Sequence, residues 1–166
     1  MESSGRMTRS RKRRERGQAL VEFAMIAPLL VILIFGFVDA ARLYQAWVTV
    51  QGAAREGARF GVTGRDDCPP ATDNRVACIK YWAAQRGKSL TNSSTLLSVT
   101  VRMWDYPAYE DPPSEGNAGG PCDALEVKVE YDFEPSTPLA DSILGAVHLT
   151  GQERLVNEPF GTCEAP

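Results

Sequence analysis

Few side chains in this 166-residue sequence are of the kinds that do chemistry. His148 is the single histidine, and no nucleophile elbow, HExxH helix or phosphate-cradling glycine loop occurs. The acidic pairs Asp66-Asp67 and Glu110-Asp111 have turn composition and lack the ligand spacing of a dedicated calcium loop. Four cysteines, Cys68, Cys78, Cys122 and Cys163, make an even set, which in an oxidising compartment favours two disulfides. None are spaced as CxxC, and with one histidine they form no convincing zinc set. Of the three possible pairings, the short loop favours Cys68–Cys78 and leaves Cys122–Cys163; free buried thiols are the alternative. These residues imply no enzyme, no cofactor and no metal. The most unusual group is a carboxylate, Glu22, in a stretch that is otherwise apolar.

From Ala19 to Val38 the sequence runs for twenty residues, matching at helical rise the roughly 30 Å hydrocarbon core of a bilayer. A charged carboxylate inside such a span costs about 2.5 kcal/mol or more, so an ordinary anchor avoids one. Ahead of it, residues 1–16 hold seven Lys/Arg against two Glu, an excess of five; with the whole chain at −3, the remainder carries −8. Positive charge on one flank keeps that flank cytoplasmic, so the N-terminus is expected inside and residues from Asp39 onward outside, where all four cysteines fall. A basic run also suits nucleic acid, but here it abuts a bilayer-length span and an acidic body, so no nucleic acid is expected. A cleaved secretory signal is excluded because Gly36-Phe37-Val38 offers no small-x-small site and the helical pattern continues. A glycine closing a basic leader, Gly17, with Glu22-Phe23 at the fifth and sixth positions beyond it, has the pattern of a prepilin peptidase site.

The elements that must position these groups begin with one helix from about Gln18 to Phe60. Beyond Val38, Ala40, Leu43, Trp47, Val50, Ala54 and Ala58 recur at three- and four-residue steps as one apolar stripe, while Asp39, Arg42, Gln45, Arg55 and Glu56 lie mostly off it. Pro28 is expected to kink or loosen the span, and Gly36 with Ala40 and Ala41 lets another helix approach. Arg55 and Arg59 share a face, and Gly57 and Ala58 permit close packing; a solvated charged face is the alternative. Pro69-Pro70 marks a loop. A second helix follows, with Thr72 or Asp73 as N-cap, Val76, Ile79, Trp82 and Ala83 on one face, and Gly87 as its stop. Strand patterns run over Leu97–Met103, Leu125–Phe133 and, more weakly, Val147–Leu155, with a Pro/Gly-rich surface loop between the first two. Strict alternation implies an antiparallel sheet with one wet face. Trp82, Trp104, Tyr106 and Tyr109 suit core and loop packing better than a binding patch. The expected fold is α+β: a basic leader (1–17), a transmembrane segment (18–38) and an outer domain (39–166) in which the amphipathic half of the first helix and the second helix pack on a small antiparallel sheet, hiding Trp47 and Val50.

The stretch GQALVEFAMIAPLLVILIFGFVDAARLYQ, with AAREGAR at Ala53–Arg59, resembles the TadE-like family, pseudopilins or minor pilins of the Tad (type IVc) pilus system. The resemblance covers residues 17–60. It implies a pilin-like fold, cleavage by a prepilin peptidase between Gly17 and Gln18, and Glu22 pairing with the amine of a neighbouring subunit's Gln18 in the filament. The implied partners are that peptidase, other pilins and pseudopilins and the inner-membrane assembly platform. The implied location is the inner membrane, single-pass, and then the pilus. An uncleaved single-span protein whose outer domain binds a ligand or envelope component is the competing reading.

Overall fold

In a computed structural model, residues 6–69, 74–90, 97–110, 112–137, 141–142 and 145–163 are described, with side chains from residue 17 onward. Their elements are helices α1 (Arg6–Gly61) and α2 (Arg75–Gly87) and strands β1 (Ser98–Trp104), β2 (Ser114–Glu115), β3 (Ala124–Phe133) and β4 (Val147–Val156). The result is an α+β fold with a long apolar N-terminal helix, a second helix and a four-stranded antiparallel sheet of order β2-β1-β3-β4. The chain divides into two compact units, Met1–Ala41 and Arg42–Pro166.

In the first unit, α1 begins at Arg6, twelve residues ahead of the expected start at about Gln18. It runs through Pro28 without interruption, although the ring removes one backbone hydrogen bond there. The large apolar side chains from Leu20 to Val38 are all exposed, Val31 at 48% and Met25 at 74%. With a mean hydropathy of 2.5 over its most apolar window, this helix is long and apolar enough to cross a membrane.

The second unit holds the core. Its floor is the inner sheet face, Val101, Leu125, Val127, Val129, Phe133 and Leu149; Ala46, Val50, Ala53, Ala54 and Ala58 of α1 and Ile79 and Ala83 of α2 cover it. The face that α1 buries is rotated from the expected stripe. Ala46, Ala53 and Gly57 join it, Ala40 and Trp47 leave it, and Asp39, read as off the stripe, is buried. Trp47 is 46% exposed. The cause is how close the helix comes to the sheet: an added Cβ on Gly151 of β4 would stand 2.7 Å from the Val50 carbonyl oxygen, and one on Gly57 would stand 3.2 Å from both Ala83 and Val127. No indole fits into so thin a layer, so the helix turns its small residues inward.

Asn74, rather than Thr72 or Asp73, caps α2, its Oδ1 accepting from the Ala77 backbone N–H at 3.1 Å; Thr72 and Asp73 lie outside the described residues. Gly87 is the last helical residue, and the cap after it, Lys88, stays right-handed. Gly87 therefore serves close packing against Leu97 and not a left-handed stop. The strand β2 falls inside the Pro/Gly-rich stretch read as loop and pairs only at Arg102↔Glu115 and Met103↔Ser114.

Candidate functional site

The groups singled out in the sequence fall into two sets. The first lies on the opening turns of α1. Glu22 and Phe23 are exposed on the helix surface, and the Gln18 side-chain amide donates to Glu22 Oε1 at 3.1 Å. That bond follows from helix geometry, because residues four apart lie one above the other. It puts a carboxylate one turn from the backbone nitrogen of Gln18. Gly17 and Gly36 have open space where a Cβ would stand.

The second set lies at the far end of α1. Gly57 faces Ala83 and Val127, so this glycine is used inside the domain. Arg55 points outward with a side chain 70% exposed and stands 3.7 Å from Glu153 on β4, a contact of small energetic weight. Arg59 and Glu56 are exposed. The AAREGAR run thus alternates between residues that seat the helix and residues facing solvent. Glu22 and the Arg55/Arg59 pair belong to different units.

The cysteines make two crosslinks. Cys68 is bonded to Cys78 with Cα atoms 5.5 Å apart, and Cys122 to Cys163 at 5.6 Å. Around them Arg75 acts as a hub that the sequence did not reveal. Its guanidinium donates to the carbonyl oxygens of Gly61 (3.0 Å), Ala118 (2.7 Å) and Gly119 (2.6 Å) and lies 5.1 Å over the Phe160 ring. Burial pushes its pKa down, opposed by the Asp123 carboxylate. Buried Asn157 donates to Ala118 O and Gly120 O, and the Glu158 N–H donates to Val62 O. The end of α1, the start of α2, the 117–123 loop and the segment after β4 are thereby tied together.

The outer sheet face is polar. Register places Glu115, Arg102, Glu126 and Arg154 side by side across the four strands, alternating in sign, with Arg102 3.0 Å from Glu115 and 3.6 Å from Glu126. Trp104 is buried there beneath the Arg154 guanidinium at 3.7 Å. Trp82 packs with Phe60, and Tyr106 with Tyr109, so the four aromatics do not gather into one patch. At one end of the sheet His148 Nδ1 lies 2.7 Å from Asp132. Asp67 accepts from Arg65 Nε at 2.9 Å and Nη2 at 2.8 Å; Asp111 lies outside the described residues. Among the described residues, no group of three or more His, Cys, Asp or Glu side chains is placed to hold a metal.

The molecule is therefore an α+β protein led by one long apolar helix. The model of the family described as TadE-like protein matches residues 17–59, so this N-terminal segment is similar to that family. The match begins at Gly17 and ends at Arg59, so it takes in Glu22 and the AAREGAR run. No curated protein and no solved structure matches the chain.

Proposed function

We propose that this chain is a minor pilin, or pseudopilin, of the Tad (type IVc) pilus system, anchored in the inner membrane with its basic leader in the cytoplasm and the Arg42–Pro166 unit outside. A prepilin peptidase cuts between Gly17 and Gln18. The mature helix then leaves the bilayer to join a filament with other pilins and pseudopilins at the assembly platform. The observation that carries this reading is the coincidence of a TadE-like match starting at Gly17 with an apolar run, Ala19–Val38, whose one carboxylate, Glu22, sits a turn from Gln18. Cleavage creates an amine at Gln18, and Glu22 of a neighbouring subunit supplies its counter-charge. Pairing offsets the desolvation of both groups, and a misregistered subunit would leave both unpaired. In this reading the protein catalyses nothing. The two disulfides suit an outer domain that no reducing pool reaches.

The test is the mature N-terminus, read by mass spectrometry on protein from its native host. A chain beginning at Gln18 is expected; one beginning at Met1 sinks the pilin reading and leaves an uncleaved single-span protein. Gly17→Val should stop processing while membrane insertion persists. Glu22→Ala should leave processing and anchoring in place and abolish recovery of the subunit in sheared pili.

A further inference from the structure

Charge is sorted by sign along the middle of this chain. Residues 74–104 hold five Lys/Arg and no Asp or Glu, and residues 105–127 hold six Asp/Glu and no Lys or Arg. The first block takes in α2 and β1; the second is the β1–β3 connection, with β2 inside it, and the start of β3. Some of these charges are satisfied inside the unit. Arg75 donates to three carbonyl oxygens, and Arg102 pairs with Glu115 and Glu126. The Asp123 carboxylate accepts from the Tyr106 and Gly120 N–H groups. What remains is divided between two places. Lys80 and Arg86 are exposed on α2, and Asp105 and Glu110 are exposed on the connection. None of these four makes an ion pair among the described residues.

We propose that this sorting is an interface between copies of this chain: α2 of one copy, through Lys80 and Arg86, seats on the β1–β3 connection of the next, through Asp105 and Glu110. Three observations choose a second copy as the occupant. First, both halves of the contact are present in one chain, opposite in sign, and the chain does not join them to each other. Second, α2 contains no acidic residue and the connection no basic one, so docking sets no like charges face to face. Like-charge juxtaposition is what rejects a wrong partner. Third, the exposed residues of α2 between Lys80 and Arg86 are Ala84 and Gln85, neither of which overreaches the long Lys and Arg side chains.

Two different surfaces of one chain meet, so the contact is head-to-tail. It builds a ring or an open row and not a two-fold pair, because each copy offers its unused half to another. Exposed ion pairs add little affinity; here the charges set which surfaces meet and in what orientation. The inference concerns the Arg42–Pro166 unit alone and stands whether or not Gly17 is a cleavage site.

The experiment uses the full-length chain in nonionic detergent micelles, made once with ordinary and once with heavy nitrogen and then mixed. A carbodiimide joins a lysine amine to a carboxylate only where the two touch, and tandem mass spectrometry reads which peptides are linked and whether their isotopes differ. Mixed-isotope links from Lys80 to Asp105 or Glu110 are expected. Raising salt from about 0.1 M to about 1 M shortens the screening length from about 10 Å to about 3 Å, and should lower their yield about fivefold. Arg86→Glu leaves the Lys80 amine in place and should lower the yield about threefold by weakening the docking alone. Near-UV circular dichroism should show it folded, since Arg86 is exposed. The last arm mixes Lys80→Glu/Arg86→Glu with Asp105→Lys/Glu110→Lys. The mixture should link the same two segments across isotopes, with amine and carboxylate exchanged. Links within one isotope only mean a contact inside the chain and overturn the inference. Links from Lys80 to other carboxylates, or none at all, overturn it as well. So does an unchanged yield in Arg86→Glu, or an exchanged mixture that fails to link.

Discussion

Gly151 is the point at which helix, strand and sequence constrain one another most tightly. A Cβ there would meet the Val50 carbonyl oxygen at 2.7 Å, its carbon at 2.8 Å and the Gln51 nitrogen at 3.0 Å. All three are backbone atoms of α1, so no rotamer change relieves the contact. Ordinary contact starts at 3.4 Å, and Gly151→Ala must therefore push α1 away by about 0.7 Å. A gap of that size forfeits a quarter to a half of the dispersion energy beneath Val50, Ala53 and Ala54. Overpacking of this kind costs about 1–3 kcal/mol, and the restriction that alanine imposes on the unfolded chain returns about 0.5 kcal/mol. The net loss is about 1–2 kcal/mol. For the 125 residues of Arg42–Pro166 this lowers Tm by about 4–8 °C. Thermal unfolding of the full chain in detergent, followed by near-UV circular dichroism, measures it. Gly120→Ala is the control, since its Cβ meets only Asp123 Oδ2 at 3.5 Å; it should stay within about 0.5 kcal/mol of wild type. Gly151→Val decides between causes. Strand propensity alone makes valine stabilising, whereas the packing described here makes it worse than alanine. If Gly151→Val raised Tm, or Gly151→Ala left it unchanged, α1 would not be seated on β4 as described.

Removing Cys122–Cys163, which closes 41 residues, should cost about 4 kcal/mol, and removing Cys68–Cys78, which closes 10, about 3 kcal/mol; denaturant unfolding of the paired serine variants tests the order. Arg75→Ala strips three carbonyl oxygens of their donor and should destabilise the domain by about 3 kcal/mol, with protease sensitivity appearing first near residues 117–123. The hydrogen bond to Asp132 holds the His148 pKa above its ordinary value, with Glu130 acting in the same direction and burial opposing. A raised pKa means that the stabilisation is complete below the unfolded-state value and is lost as pH rises through the folded one. The His148 proton resonances should therefore titrate with a midpoint above the ordinary histidine value, and Asp132→Asn should bring it down; an unmoved midpoint would refute the pairing.

Legibility in the sequence varied with the physics behind each element. Leu125–Phe133 alternates without a fault because one sheet face is buried, and β3 covers it; β1 and β4 were readable for the same reason. β2 was not, since two residues carry no periodicity and its visible link is the Arg102–Glu115 pair. The apolar periodicity of α1 is legible, but its phase is not. Hydrophobicity favours Trp47 over Ala46, while the fit against Gly151 and Gly57 selects the smaller side chain. Arg75 was invisible because its three acceptors are carbonyls, which any residue supplies. Gly17, Glu22 and Phe23 stood out as local signals, a glycine after a basic run and a carboxylate in an apolar one.

The seating of α1 on β4 also fixes an order of events during synthesis. Val50 must wait for Gly151, about a hundred residues later, and Cys122 must wait for Cys163. A chain made from its N-terminus therefore keeps the alanine-rich face of α1 uncovered until β4 has emerged. Loop closure over that distance is slow compared with local folding. Nascent chains arrested before residue 147 should accordingly be digested by protease throughout residues 42–146, and those arrested well beyond residue 163 should resist. Until then, the inner face of β1 and β3 has no helix seated across β4 to cover it.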